Sequence, residues 1–201
     1  EAVEMAGLDR RRPWLPTPVT FADIPLGHLE RPDAIVPLRN MLFVTLAAHH
    51  GEDIWLAAMA GDRSSDKSHE FMRMAGEMLT YLYGTQHWGV SRTVRVSAPR
   101  KASTKTGLVR EYLDAGGPAE ALLASVSCYQ PVGAASCGQC KACFRKWVAL
   151  DNCGVEMAAS CAAPPWEAPW LEQCWPLVRT GTYRGEEDAD WMAALCRKGW
   201  K

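Results

Sequence analysis

The sequence predicts an α/β fold: a parallel sheet with flanking helices, followed by a helical and irregular C-terminal extension. Three observations lead there. Helical and extended patterns alternate between residues 38 and 115, as they do when crossover helices join parallel strands. The run Ile54–Ala60 is apolar throughout, the mark of a strand covered on both faces. Finally, 201 residues with 48% hydrophobic and 22% charged side chains suit one good-sized domain. Such a domain buries about 70% of its unfolded surface.

Residues 1–34 lack periodicity and hold Arg10-Arg11-Arg12-Pro13, so they read as a helix end and a loop-rich, solvated stretch. Leu38–His50 is apolar on nearly all sides and reads as a deeply buried helix. After the first strand, Phe71, Met74, Ala75, Met78, Leu79 and Leu82 recur at helical spacing. Ser68 or Asp66 can cap that helix, and Gly84 can end it. Thr93–Ser97 alternates Val94 and Val96 with polar neighbours, which predicts a second strand stopped before Pro99. Ser103–Ala115 is helical, with Leu108, Val109, Tyr112 and Leu113 inward. Gly116-Gly117 breaks it, and Pro118 opens another short helix. The last helix runs over Glu186–Arg197, acidic at its start and basic at its end, as the helix dipole favours. Residues 1–150 form the main domain. Residues 151–201, with Trp166, Trp170 and Trp175 among their five tryptophans, are expected as an extension packed on it.

Charge narrows the function classes. With 22 basic and 23 acidic residues, the chain has no strong overall attraction for nucleic acid or anionic membrane. Its apolar runs fall far short of the roughly 20 residues of a membrane helix. The chain opens on Glu and shows no secretion signal. The eight cysteines are bunched, none before Cys128, which suits metal ligation better than disulfide staples. The expectation is a cytoplasmic protein with a metal site.

The strongest local signal is Cys128 followed by Cys137-Gly138-Gln139-Cys140-Lys141-Ala142-Cys143. Two-residue gaps let sulfurs turn to one point, and Gly138 supplies the tight turn. Four thiolates suit one structural zinc ion per chain; an iron–sulfur cluster also accepts them, and metal-free thiols are the plain alternative. Cys153, Cys161, Cys174 and Cys196 have no paired spacing and are expected as buried thiols.

Here the residues resemble a family. Val36-Pro37-Leu38-Arg39-Asn40-Met41-Leu42-Phe43 is similar to the Pro-Gly-Arg-Asn-x-x-Phe element of 7-cyano-7-deazaguanine synthases. Ser127-Cys128-Tyr129, then Cys137-Gly138-Gln139-Cys140 and Cys143, resembles that family's Ser-Cys-Tyr and Cys-Gly-x-Cys-x-x-Cys ending. Thr104-Lys105-Thr106 falls where the family has a lysine opening a helix. The resemblance implies a Rossmann-like, adenine-nucleotide α-hydrolase-like fold. It also implies an ATP- and magnesium-dependent ligase that converts 7-carboxy-7-deazaguanine and ammonia to 7-cyano-7-deazaguanine, for queuosine and related bases. Arg39, Asn40, Asp66 and Lys105 would then bind substrate or nucleotide, with zinc on Cys128, Cys137, Cys140 and Cys143.

Several departures stand beside the match. The family's Ser-Gly-Gly-x-Asp-Ser pyrophosphate loop does not occur, and residues 1–60 contain no serine. The expectation is therefore a chain without its opening strand, the loop coming from an upstream segment or a partner chain; a homodimer is also allowed. Ser64-Ser65-Asp66-Lys67-Ser68 replaces Tyr-Pro-Asp-Cys-Arg, keeping only Asp66 in register. Leu38 replaces a glycine, and Lys146 an arginine. A second reading is a catalytically degenerate zinc-binding homologue that binds a partner through an exposed tryptophan patch. A nucleic-acid-binding zinc ribbon, drawn from Lys141, Arg145 and Lys146, is disfavoured by the overall charge.

Overall fold

The computed structural model describes residues 24–31, 36–84 and 89–201, so most of the Arg-rich opening stretch lies outside the described residues. Contacts divide the chain into two units at Ala102–Ser103.

In the first unit, α1 (Arg39–Ala47) leads into β1 (Asp53–Trp55), and α2 (His69–Leu82) crosses over to β2 (Arg95–Ser97). The strands pair in parallel, with Asp53 opposite Arg95, Ile54 opposite Val96 and Trp55 opposite Ser97. The Arg95 guanidinium beside Asp53, 2.6 Å away, holds that carboxyl below its ordinary range. Ser68 caps α2 by accepting the Phe71 N–H. The core gathers Val44, Ala48, Ile54, Ala75, Leu79 and Val94. Full burial of side chains such as Ile and Leu contributes about 1.5–3 kcal/mol each.

Three expectations change here. The strand around Ile54 is shorter than the apolar run and covered on one face only: Ile54 is buried, whereas Trp55 is 74% exposed. Helix α1 buries the stripe Asn40, Val44 and Ala48 and leaves Phe43 exposed, because it too has a covered side and a bare one. Helix α2 turns Met72, Ala75, Gly76 and Leu79 inward and leaves Met74, Met78 and Leu82 about half exposed. Gly76 explains the rotation. A Cβ there would stand 3.1 Å from the Val94 carbonyl oxygen, so the helix approaches β2 on its small-residue side. The Thr80 hydroxyl adds a tie, accepting the Val94 N–H at 2.9 Å.

The second unit contains α3 (Lys105–Asp114), α4 (Ala119–Ala124), α5 (Lys141–Asp151), α6 (Leu171–Arg179) and α7 (Glu187–Arg197). Thr104 caps α3 through the Gly107 N–H. Its core joins Phe144, Trp147 and Leu150 of α5 to Leu171, Trp175, Trp191 and Leu195. The rings of Phe144 and Trp191 stand 4.7 Å apart, and those of Trp147 and Trp166 5.3 Å apart, edge-on or tilted as aromatic quadrupoles prefer. The expected exposed tryptophan patch is therefore corrected: Trp175 is buried, and Trp166 and Trp170 pack against this core. Cys196 is exposed rather than buried.

Candidate metal centre and substrate pocket

The second unit carries the cysteine site. Cys140 is the N-cap of α5, where its sulfur accepts the Cys143 N–H at 3.4 Å, while the Cys128 sulfur accepts the Cys137 N–H at 3.2 Å. Such N–H contacts suit sulfurs carrying negative charge. The four Sγ atoms all lie within 4.8 Å of one another, and those of Cys137 and Cys143 are 3.9 Å apart. A tetrahedral thiolate site with metal–sulfur bonds of about 2.3 Å has sulfurs about 3.8 Å apart, so the arrangement can hold a metal ion. Burial pushes the Cys137 and Cys143 thiols up. Burial raises Cys140 as well, but N–H donors from Tyr129 and Cys143 outweigh it and leave that thiol below its ordinary value.

Gly138 makes the turn with φ +79°. Its second role lies outside any local motif, since a Cβ there would collide with the Ala163 carbonyl oxygen. The segment after the knuckle clasps it further. The Gln139 amide donates to the Pro164 carbonyl at 2.9 Å, and the Trp170 indole N–H donates to the Gln139 carbonyl at 2.7 Å.

The first unit carries a cavity of about 370 Å³, lined by Arg39, Asn40, Phe43 and Ala47 of α1, residues Ile54–Ala58, and Lys67. Asn40 lies inside α1 rather than at its cap. Its side-chain amide donates to the Asp66 carboxylate at 2.9 Å, so the fold brings these two residues together across 26 positions. Arg39 lines the same cavity. Sequence reasoning misses Lys67 and its partner: the Lys67 ammonium sits 3.3 Å from the Asp62 carboxylate, which also accepts the Met59 N–H at 3.1 Å. In the sequence Asp62 reads only as the close of an apolar run, and a lysine three residues after the first of two serines offers no motif. Lys105 belongs to the other unit, as the first residue of α3, beside Arg145, Glu187 and Asp190.

The decisive comparison is a family model described as queuosine biosynthesis protein QueC, which matches residues 21–154. The chain belongs to the QueC family. That span holds Arg39, Asn40, Asp66, Lys105 and all four knuckle cysteines. A 7-cyano-7-deazaguanine synthase of Anaeromyxobacter sp. (strain Fw109-5) is 32% identical over 133 residues, covering 63% of this chain and 55% of that protein. One from Thermoplasma acidophilum is 31% identical over 134 residues, covering 63% and 53%. One from Methanopyrus kandleri is 29% identical over 138 residues, covering 60% and 56%. The chain thus spans about half the length of the curated relatives it matches. No solved structure gives a significant match. No described helix is long and apolar enough to cross a membrane.

Proposed function

We propose that this QueC-family chain supplies the substrate pocket and a structural zinc site to an ATP-dependent synthesis of 7-cyano-7-deazaguanine from 7-carboxy-7-deazaguanine and ammonia. The observation that carries the reading is the family match, within which the four cysteines converge on one point and Arg39 opens onto a cavity. Cys128, Cys137, Cys140 and Cys143 would hold the zinc. With all four positions filled by sulfur, the ion stabilises the fold and leaves no site for an activated water. Arg39 and Lys67 offer cations to carboxylate or phosphate, while Asn40, pinned by Asp66, offers a fixed polar edge to the substrate. In the proposed reaction the carboxylate attacks the α-phosphorus of ATP, pyrophosphate leaves, and ammonia displaces AMP to give the amide. In a second activation the amide oxygen attacks the α-phosphorus of another ATP and pyrophosphate leaves. Loss of AMP, which carries off that oxygen, and of two protons from nitrogen yields the nitrile. Cations near the leaving pyrophosphate stabilise the charge that shifts onto it. Lys105 is proposed for the nucleotide phosphates, together with a pyrophosphate-binding loop from outside the 201 residues.

The test is a single-turnover assay with zinc, ATP, magnesium, ammonium and 7-carboxy-7-deazaguanine, read by mass spectrometry. It is run on this chain alone and with a loop-bearing segment added. Amide and nitrile with the segment present are expected. An inert, zinc-loaded complex would leave the degenerate homologue in its place, although its expected tryptophan surface is packed in the core.

A further inference from the structure

We propose that a cavity in the second unit, walled by Trp166 and Trp200, binds a guanidinium group carried by an arginine side chain or by a small guanidine without a carboxylate. Every residue lining it lies beyond residues 21–154, the span matched to the family. The site therefore stands or falls apart from the proposed synthesis.

The walls are set before any ligand arrives. The cavity holds about 380 Å³, within the range of small-molecule sites. Trp166 follows the buried Pro165 in a 3-10 turn, Pro165–Glu167, and its ring packs 5.3 Å from that of Trp147. After α7, Gly199 at φ +90° turns the chain back, and the Trp200 N–H donates to the Leu195 carbonyl at 3.2 Å. The Trp200 indole N–H then donates to the Trp166 carbonyl at 3.1 Å, and its ring meets that of Trp175 edge-on at 5.6 Å. Ala168 and Pro169 add apolar surface between the two indoles and the solvent. Aromatic walls held in this way lose little freedom when a ligand binds.

Charge sets the sign of the ligand. Glu167 and Glu172 line the cavity against one cation, Lys198, so the lining is net negative. Both glutamates are exposed, and no side chain among the described residues pairs with either. The resident ammonium shows what the indole accepts: Lys198 Nζ stands 4.5 Å from the centre of the Trp166 ring, a cation–π contact. The same ammonium lies 3.8 Å from the Asp151 carboxylate, so it keeps an anchor when another cation takes the ring. A guanidinium is the stronger occupant. It is planar, less tightly hydrated than an ammonium, stacks on indole, and grips a carboxylate with two parallel N–H groups. An anion would face two carboxylates, and a free amino acid would bring a third.

The test titrates agmatine, a guanidinium on an aminobutyl chain with no carboxylate, into the isotope-labelled 201-residue chain, with indole N–H signals read by NMR. The Trp166 and Trp200 signals should move saturably while that of Trp191, buried in the core, stays in place. Putrescine, the matched diamine without a guanidinium, should bind at least about threefold more weakly. Glu172→Gln should weaken agmatine at least about threefold at low salt. Trp200→Leu, followed at the Trp166 signal, should weaken it at least about fivefold. Lys198→Met vacates the ring and should tighten binding. A second probe, acetyl-alanyl-arginyl-alanine amide, separates the sources. Binding tighter than that of agmatine assigns the site to an arginine within a polypeptide, and binding no tighter assigns it to a free guanidine. Unmoved Trp166 and Trp200 signals, equal binding of agmatine and putrescine, unchanged affinity in Glu172→Gln, or loss of binding in Lys198→Met overturns the proposal. Because Glu172 is exposed, Glu172→Gln keeps the test decisive should Trp200→Leu fail to fold.

Discussion

Gly138→Ala tests whether the segment after the knuckle is built onto it. Gly138 has φ +79°, and an alanine held there costs about 1–2 kcal/mol from backbone sterics alone. The new Cβ would also collide with the Ala163 carbonyl oxygen, a backbone atom that cannot swing aside. Overpacking of that kind adds about 1–3 kcal/mol, for a total of about 2–5 kcal/mol. Residues 103–201 form a unit of the size whose Tm falls by about 4–8 °C per kcal/mol, so a drop of at least about 8 °C is expected. Gly133→Ala is the matched control, with φ +60° and nothing within 4 Å of its Cβ. It should lose only the backbone part, about 1–2 kcal/mol. Urea unfolding followed by tryptophan fluorescence, at fixed metal loading, reads both variants. If Gly138→Ala is no worse than Gly133→Ala, the close approach of Ala163 does not hold the segment, and the clash is refuted as the reason for a glycine there.

Stripping the metal with a chelator should increase the solvent accessibility of Trp170, whose indole donates to the Gln139 carbonyl inside the knuckle, as read by acrylamide quenching. The metal-free and loaded chains should respond to pH with opposite signs. In the metal-free chain burial raises the Cys137 and Cys143 thiols above 9.0, so the unfolded state ionises first and stability falls as pH rises past that value. The loaded chain holds thiolates, which acid protonates, so its stability falls as pH drops; urea midpoints at about pH 6 and about pH 10 separate the two. Leu38→Gly should stabilise the first unit by about 1 kcal/mol, since Leu38 sits at φ +60° and is 80% exposed; thermal unfolding checks this. Asp188→Ala should cost about 2–4 kcal/mol in urea unfolding, because the buried carboxylate accepts the Arg184 and Gly185 N–H groups at 2.9–3.0 Å and would leave both unmatched.

Whatever depends on local pattern is legible in the sequence. Helices α2, α3 and α7, the cap at Ser68 and the cysteine convergence derive from spacing or residue type within a few positions, and the parallel strand pair from the alternation of helical and extended segments. The cap at Thr104 is not foreseen, since the sequence places the helix start at Ser103. The errors arise where tertiary surroundings decide. Composition shows that a segment is apolar but not how many of its sides are covered, so α1 and β1 lie shallower than their sequences suggest. Helix α2 is rotated from its expected face because Gly76 matters more than the three partly exposed residues Met74, Met78 and Leu82, and close approach is invisible to hydrophobic periodicity. Lys67 and Asp62 escape notice for a related reason: their pairing depends on a turn whose geometry no short pattern encodes.

The departures from the family pattern do not weigh equally once their positions are known. Leu38 stands where the family has glycine, and it keeps the left-handed conformation that glycine would adopt freely. An exposed leucine gains nothing from packing there. The conformation persists because the next two residues fix the start of α1, with Arg39 on the cavity and Asn40 bonded to Asp66. In the 64–68 segment, the one residue kept in register is Asp66, the partner of Asn40. The family's arginine at position 68 is absent, but Lys67 brings a cation to the same cavity from one position earlier, steadied by Asp62. A left-handed residue before α1, the Asn40–Asp66 hydrogen bond and a lysine on the cavity thus stand together in a stretch whose other residues depart from the family pattern. Arg39 and Lys67 on that cavity are the cations that the proposed reading would use to hold an anion.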